Sequence, residues 1–474
     1  MIETADRKFN STQPTRSAHP GRLLAVLLTA PFMAQADVTI ANVGTPSIHA
    51  DLGASSAALE LIIGGYVLAF AVLLITGARL GQTHGYRRVF LAGVATFTAA
   101  SLLCGLAPSP LVLIVARVIQ GAGAALMFPQ TLTGIQLNLT GAERTRAIAL
   151  YSVALSSGAV VGQLLSGVLI SANLAGSQWR AIFLINVPIG AALLGAAWRY
   201  LPIDEQRVSR RVDLLGVAAL SASLLLLILP LILGHAEGWP VWTWISLGAS
   251  VPVAATFIVT QRHLAARGGA PLLNLDILAQ RPVGWGLLTL LVSTGTYYAL
   301  LFTLAQYLQQ GLGHGALASG LTLVPWVAAF GLAGQVVRRV PTRLGSSAAP
   351  AGCAILAVAY LAISVSLFAD QRGEALLIAL LGLGGFGLGI QFSALIAHLT
   401  NSVAGRYAPD ISGVTTTAAQ IGGAIGVAAL GTLYFSLATP AGAAHATHAF
   451  AVVTAGLAAV TLLATAMAFR STHA

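Results

Sequence analysis

Charge is scarce in this chain. Of its 474 residues only 8% are Asp, Glu, Lys or Arg, while 57% are hydrophobic. Soluble domains carry about a quarter charged residues, so a water-soluble globular protein is excluded. Lysine is nearly missing, with Lys8 the single example. A Walker A phosphate loop needs a lysine after its glycines, so no ATP site is expected and no cofactor with it. The same scarcity leaves no Schiff-base lysine within an apolar run. Cys104 and Cys353 both sit in apolar stretches. They read as small buried hydrophobes and supply no disulfide framework. No HExxH and no His/Cys cluster on one face is present, so no metal site is indicated.

Long apolar runs are abundant: fourteen stretches between residues 22 and 469 are long enough to cross a bilayer. The fold expected is therefore all-α and integral to a membrane. The net charge of +10 would suit nucleic acid, but the arginines lie in short loops between apolar runs. With the N-terminus inside, Arg180 and Arg372 fall outside and Arg117 lies within a span; every other arginine and Lys8 are cytoplasmic. The positive-inside rule thus places both termini in the cytoplasm and implies an even number of spans, with the bilayer, not nucleic acid, as partner.

Two charges stand where charge is expensive. Arg117 interrupts LVLIVARVIQGAGAALMFP, Leu111 to Pro129. An embedded arginine costs about 2.5–3.5 kcal/mol on insertion scales. Gln120 and Gly121 share its helix face at i+3 and i+4. Asp37 is the one acid deep inside a span. Counted from opposite membrane faces at ~1.5 Å per residue, Asp37 and Arg117 lie about 8 and 10 Å below the outer edge of a ~30 Å core. The two are therefore placed to meet or to be bridged. Burial disfavours a charged carboxylate and a nearby arginine favours it, so a change in their separation would load or release a proton.

DVTIANVGTPSI (37–48), ARVIQGAGAA (116–125), WRAIFLINVPIG (179–190), YLQQGLGHGALASGLTLVP (307–325) and SGVTTTAAQIGGAIGVAALG (412–431) occur in that order. Together they resemble the fourteen-helix drug:proton antiporters, a branch of the major facilitator superfamily. The resemblance implies two pseudo-symmetric six-helix bundles separated by an inserted hairpin. Its divisions are a tail at 1–21, a first bundle at 22–203, a connector at 204–212, a hairpin at 213–261, a second connector at 262–281 and a second bundle at 282–474. It implicates Arg117 in proton coupling, and Asp37, as the one deeply embedded acid, is the proton carrier expected beside it. Helix 9 then corresponds to helix 1 and helix 12 to helix 4, which makes Asn42, Gln120, Tyr298, Phe302 and Gln391 the candidate lining of a substrate cavity.

Two motifs depart from the family pattern. The loop ARLGQTHGYRR (78–88) keeps Gly85 and Arg87, but Gln82 stands where the family has aspartate, so the expected cytoplasmic latch is neutral. Helix 5 reads GAVVGQLLSG, with Gly158, Gly162 and Gly167 in place and Gln163 where proline is usual. The function implied is proton-coupled export, across the cytoplasmic membrane, of a lipophilic substrate that is neutral or singly charged, by a monomer. A proton-coupled importer is the alternative; an embedded enzyme or receptor lacks the residues it would need. A bound cation is expected to compete with the proton for the oxygens of Asp37.

Overall fold

The computed structural model describes residues 20–473 except 174–175, 204–212, 235–236, 270, 273–274, 338–344, 370–372, 404–407 and 439–441. Among the described residues the regular elements are helical. They are α1 (Pro20–Leu52), α2 (Ser56–His84), α3 (Tyr86–Gly105), α4 (Pro110–Asn138), α5 (Gly141–Ala172), α6 (Arg180–Leu184) and α7 (Asn186–Tyr200). The hairpin α8 (Leu214–Leu233) and α9 (Val241–Ala266) and a short α10 (Leu275–Leu278) follow. Next come α11 (Arg281–Gln306), α12 (Ala316–Thr322), α13 (Val324–Val337), α14 (Gly345–Phe368), α15 (Glu374–Asn401), α16 (Ala408–Leu437) and α17 (Ala443–His473). They form fourteen segments long and apolar enough to span a membrane.

Local chemistry sets the breaks. Ser55 and Ser109 cap α2 and α4, their hydroxyls accepting from the amides of Ala58 and Val112. Gly85 joins α2 to α3 at φ 91°, a conformation that penalises any side chain. Two spans expected to be continuous are interrupted. Pro188 and Pro325 have no N–H to offer the carbonyl four residues back, and the helix breaks just before each, at Ile185 and Leu323. The span expected over 282–308 ends instead in a π turn, Tyr307–Gly311.

The first bundle comprises α1–α7 and the second α11–α17, and glycine contacts repeat between them. Gly158 and Gly162 of α5 lie against the carbonyls of Phe32 and Ala36 on α1; a Cβ on Gly158 would sit 2.6 Å from that oxygen. In the second bundle Gly422 and Gly426 of α16 lie likewise against the carbonyls of Leu291 and Gly295 on α11. Gly93 and Gly123 bring α3 onto α4 as Gly352 and Gly387 bring α14 onto α15. Small residues are what let helices approach in a medium where apolar surface gives no hydrophobic drive. The repeat equates Ala36 with Gly295, hence Asp37 with Thr296, and Arg117 with Leu381. The embedded charges have no counterpart in the second bundle.

The hairpin is seated on the seam between the bundles. Leu224 and Ile228 of α8 pack with Leu68 and Val72 of α2 and with Ile421 and Ala424 of α16. Its base is tied by polar contacts. Asp213 accepts from Gly216 N and from Gln261 Nε2, at 2.9 and 2.6 Å. Gln261 Oε1 accepts from the amide of Leu272. Arg79 at the end of α2 donates to the carbonyls of Leu272 and Pro271, at 2.6 and 3.2 Å.

Candidate functional site

Five helices of the first bundle converge on Asp37. From α4, Arg117 reaches it through a buried ion pair, both side chains fully enclosed. Gln120, one turn on, donates to Asp37 Oδ1 at 2.9 Å and to Ser101 Oγ of α3 at 2.8 Å, and accepts from Arg117 at 2.8 Å. Asn186, the first residue of α7, donates to the same Asp37 oxygen at 2.9 Å. The guanidinium also donates through Nε to the carbonyl of Ile62 on α2, at 2.9 Å. Its central carbon lies 4.4 Å from the centre of the Tyr66 ring and 5.6 Å from that of Phe183. A planar, permanently charged group with forked donors suits this enclosure, since carboxylate, amide, carbonyl and ring are all served at once.

The outer end of the same helices is fastened separately. Asp51, beyond the apolar part of α1, accepts from Arg180 at 2.6 Å and from the indole of Trp179 at 3.0 Å. These hydrogen bonds, that from Arg180 foremost, hold the Asp51 carboxyl below the usual carboxylate range.

A cavity of about 1080 Å³, its open mouth included, lies between the bundles. It runs from mid-span, at Gln35, Tyr297 and Tyr298, to the helix ends near Gln136, Thr400 and Ile411, the end that carries Arg79, Arg87 and Arg144. Aromatic pairs form two of its walls. Phe128 and Tyr151 meet edge to face at 6.0 Å, and Phe330 and Phe392 are tilted at 6.0 Å. None of the described residues lining it is Asp, Glu, Lys, Arg or His. At the opposite end the bundles close: Val160 and Leu164 of α5 belong to the hydrophobic cluster of the second bundle, and Leu164 packs on Gly320.

The structure brings Asp37 and Arg117 together as expected from their depths. Tyr298 lines the cavity and accepts from Gln35 at 2.9 Å across the interbundle gap. Three other cavity candidates do not line this cavity. Gln120 is buried in the charge network, because its helix face is that of Arg117. Phe302 packs edge to face on Phe435 and against Gly431, away from the cavity. Gln391 is fully buried without lining it, its backbone pressed on Gly352. The side chain of Asn42 lies outside the described residues. The oxygens of Asp37, for which a bound cation was expected to compete, face α4 and α7 in this arrangement, and none of the residues bonded to them lines the cavity.

In the loop, Gln82 accepts from Arg79 at 2.7 Å, while Arg87 turns to α7 and lies 5.4 Å over the Trp198 ring. The residue that reaches the connector between hairpin and second bundle is therefore Arg79. On α5, Gly158 and Gly162 face α1, Gly167 is buried, and Gln163 lies near Leu304, Ser319 and Gly320 at the closed end. Sequence reasoning missed Asn186, Tyr66, Gln35 and Tyr297. Asn186 stands in a quoted motif, and Gln35 is a polar residue within a span two places from Asp37; both were visible signals.

The sequence profile of the Major Facilitator Superfamily matches residues 27–427. The chain belongs to that superfamily. Its relatives place it in the branch of antibiotic and multidrug efflux transporters. It is 36% identical over 419 residues to a probable actinorhodin transporter of Streptomyces coelicolor, covering 87% of this chain and 72% of that one. It is 34% identical to the cephamycin export protein CmcT of Amycolatopsis lactamdurans, covering 93% and 90%. The human organic anion transporter MFSD10 (TETRAN) shares the fold at TM-score 0.64 and 16% identity, over 96% of this chain and 100% of that one. This member of the superfamily is a transporter and not an enzyme, and its two bundles and inserted hairpin are the fourteen-helix form of the fold.

Proposed function

We propose that the protein exports a lipophilic compound, neutral or singly charged, across the cytoplasmic membrane in exchange for protons. The enclosed Asp37–Arg117 pair carries this reading. It is a charged pair in a span whose partners all belong to one bundle, beside an uncharged cavity that both bundles share. The positive-inside rule makes the arginine-bearing end cytoplasmic, so the cavity faces inward in this state. The relative named as a cephamycin export protein supports the direction. No nucleotide or other cofactor enters, and one chain suffices.

In this mechanism Asp37 takes a proton from outside and releases it inside. As a carboxylate it is held by Arg117, Gln120 and Asn186. As a neutral acid it gives up the ionic part of that hold, while Arg117 keeps the Ile62 carbonyl, the Gln120 oxygen and the Tyr66 ring. The network thus has two arrangements of different stability, and α1, which carries Asp37 on one face and Gln35 on the cavity face, links them to the substrate space. One proton moving down ~100 mV supplies about 2.3 kcal/mol, roughly a fifty-fold gradient of a neutral substrate. The cavity lining offers a dication no counter-charge, which disfavours it. Proteoliposomes with an imposed pH gradient and matched neutral, mono- and dicationic dyes test the reading. Gradient-driven export of the neutral and monocationic dyes, with proton counterflow, is expected. Gradient-independent flux, or faster export of the dication, refutes it.

A further inference from the structure

Two polar atoms in the cavity wall are left without partners. Gln35 is 6% exposed; its Nε2 is engaged by Tyr298, but its Oε1 is shielded from water and has no hydrogen bond. Tyr297 is 8% exposed, and its hydroxyl is equally shielded and unpartnered. Both residues line the cavity at its inner end, one from each bundle. Buried polar atoms are almost always paired, since an unmade hydrogen bond costs the full desolvation of the group. Here the omission falls in a cavity wall, on an acceptor and on a hydroxyl able to donate.

Their positions are held from behind. The Tyr297 ring stacks on Trp326 at 5.9 Å and 19°, and packs against the Tyr298 ring at 5.2 Å. Tyr298 in turn fits against Gly423, where a Cβ would come within 2.7 Å of its ring. Both atoms are shielded from a water-sized molecule, so a ligand meets them through a small rotation of either side chain toward the cavity, whose exposed surface is mostly apolar.

Resting on the efflux reading above, we propose that Gln35 Oε1 and Tyr297 Oη form a polar reading head. It selects flat, uncharged aromatic compounds that carry a hydrogen-bond donor beside an acceptor, as a carboxamide does. The donor of the compound bonds to Gln35 Oε1, and its acceptor receives the Tyr297 hydroxyl proton. Its ring system lies below, between Phe128/Tyr151 and Phe330/Phe392. A site built to hydrogen-bond a donor discriminates strongly against an analogue without one, because its own atom is then buried unpaired.

The test is equilibrium binding of anthracene-2-carboxamide and of methyl anthracene-2-carboxylate to the whole protein in nanodiscs, by fluorescence anisotropy against empty discs. The ester keeps the carbonyl and loses the N–H donors. Wild type is expected to bind the amide about tenfold more tightly. Gln35→Met should bring that ratio to about one. Tyr297→Phe should weaken both probes together and keep the ratio. Equal affinities in wild type, an unchanged ratio in Gln35→Met, or no saturable binding of either probe overturns the proposal. The expected binding pattern without gradient-driven flux in proteoliposomes would sink proton-coupled export and leave the reading head standing.

Discussion

Asp37→Asn separates coupling from architecture. The substitution keeps the shape of the side chain and one oxygen acceptor but removes the negative charge opposite Arg117. Breaking a buried ion pair from one side costs about 3–5 kcal/mol. The guanidinium here retains the Ile62 carbonyl, the Gln120 oxygen and the Tyr66 ring at 4.4 Å. A desolvated cation–π contact of that kind is worth about 2 kcal/mol. Those contacts are common to both forms and do not offset the loss, but the Asn oxygen still accepts from the guanidinium, so the destabilisation expected lies at the lower end of that range, about 3 kcal/mol. Transport should change far more. Without a titrating acid in the span the gradient no longer drives accumulation, and a roughly fifty-fold ratio at ~100 mV collapses to one. Substrate–substrate exchange, which needs only alternation, should persist. Reconstituted protein, loaded with labelled substrate and given either a pH gradient or unlabelled substrate on the far side, reports the two activities separately. Gradient-driven accumulation by the Asn variant would refute the assignment of Asp37 as proton carrier. Loss of exchange together with accumulation would show that the carboxylate is needed for alternation itself.

Arg117→Lys should lower transport at least about tenfold at equal expression, since a point charge cannot serve carboxylate, amide and carbonyl together; normal flux would contradict the fitted guanidinium. Gly162→Ala should block the close approach of α5 to α1, because the added methyl would meet the Ala36 carbonyl and come 2.6 Å from Thr39 Oγ1. Gly426→Ala should do the same at the repeated contact on Gly295, and thermal unfolding in detergent should show both variants destabilised. Arg79→Ala removes two hydrogen bonds to the connector at Leu272 and Pro271, and protease cleavage between the bundles should quicken several-fold at unchanged overall fold. For Asp51, a lowered carboxyl value means a contribution that is complete above the ordinary carboxylate range and lost as pH falls through the lowered one. The melting temperature of wild type should therefore drop on acidification by more than that of Asp51→Asn.

Much of this was legible in the amino-acid order, for reasons tied to cost. Fourteen spans could be counted because apolar length is what a bilayer selects. Asp37 and Arg117 stood out because charge in hydrocarbon is expensive, and helical rise placed them at one depth. Facing was harder to read. Gln120 shares a helix face with Arg117, which was visible, yet its amide completes the ion pair and leaves nothing for the cavity. Gln35 and Asp37 are two residues apart on α1, so they face opposite ways; the wall each one joins depends on how α4 and α11 pack around that helix. In the second bundle no charge marks a face, and Phe302 and Gln391 could not be told from packing residues. The breaks at Ile185 and Leu323 were signalled by Pro188 and Pro325, but hydropathy averages over such interruptions.

The hairpin makes the two flanks of the molecule unequal. Along one seam α8 is wedged against both α2 and α16, and its base is stitched to Arg79 through Leu272, Gln261 and Asp213. Along the other, α5 meets α12 and α13, with no such hairpin among the described residues. In the alternation proposed above, the bundles would slide past one another on the splinted side and part on the other. The cavity therefore has a splinted flank and an unsplinted one in the plane of the bilayer.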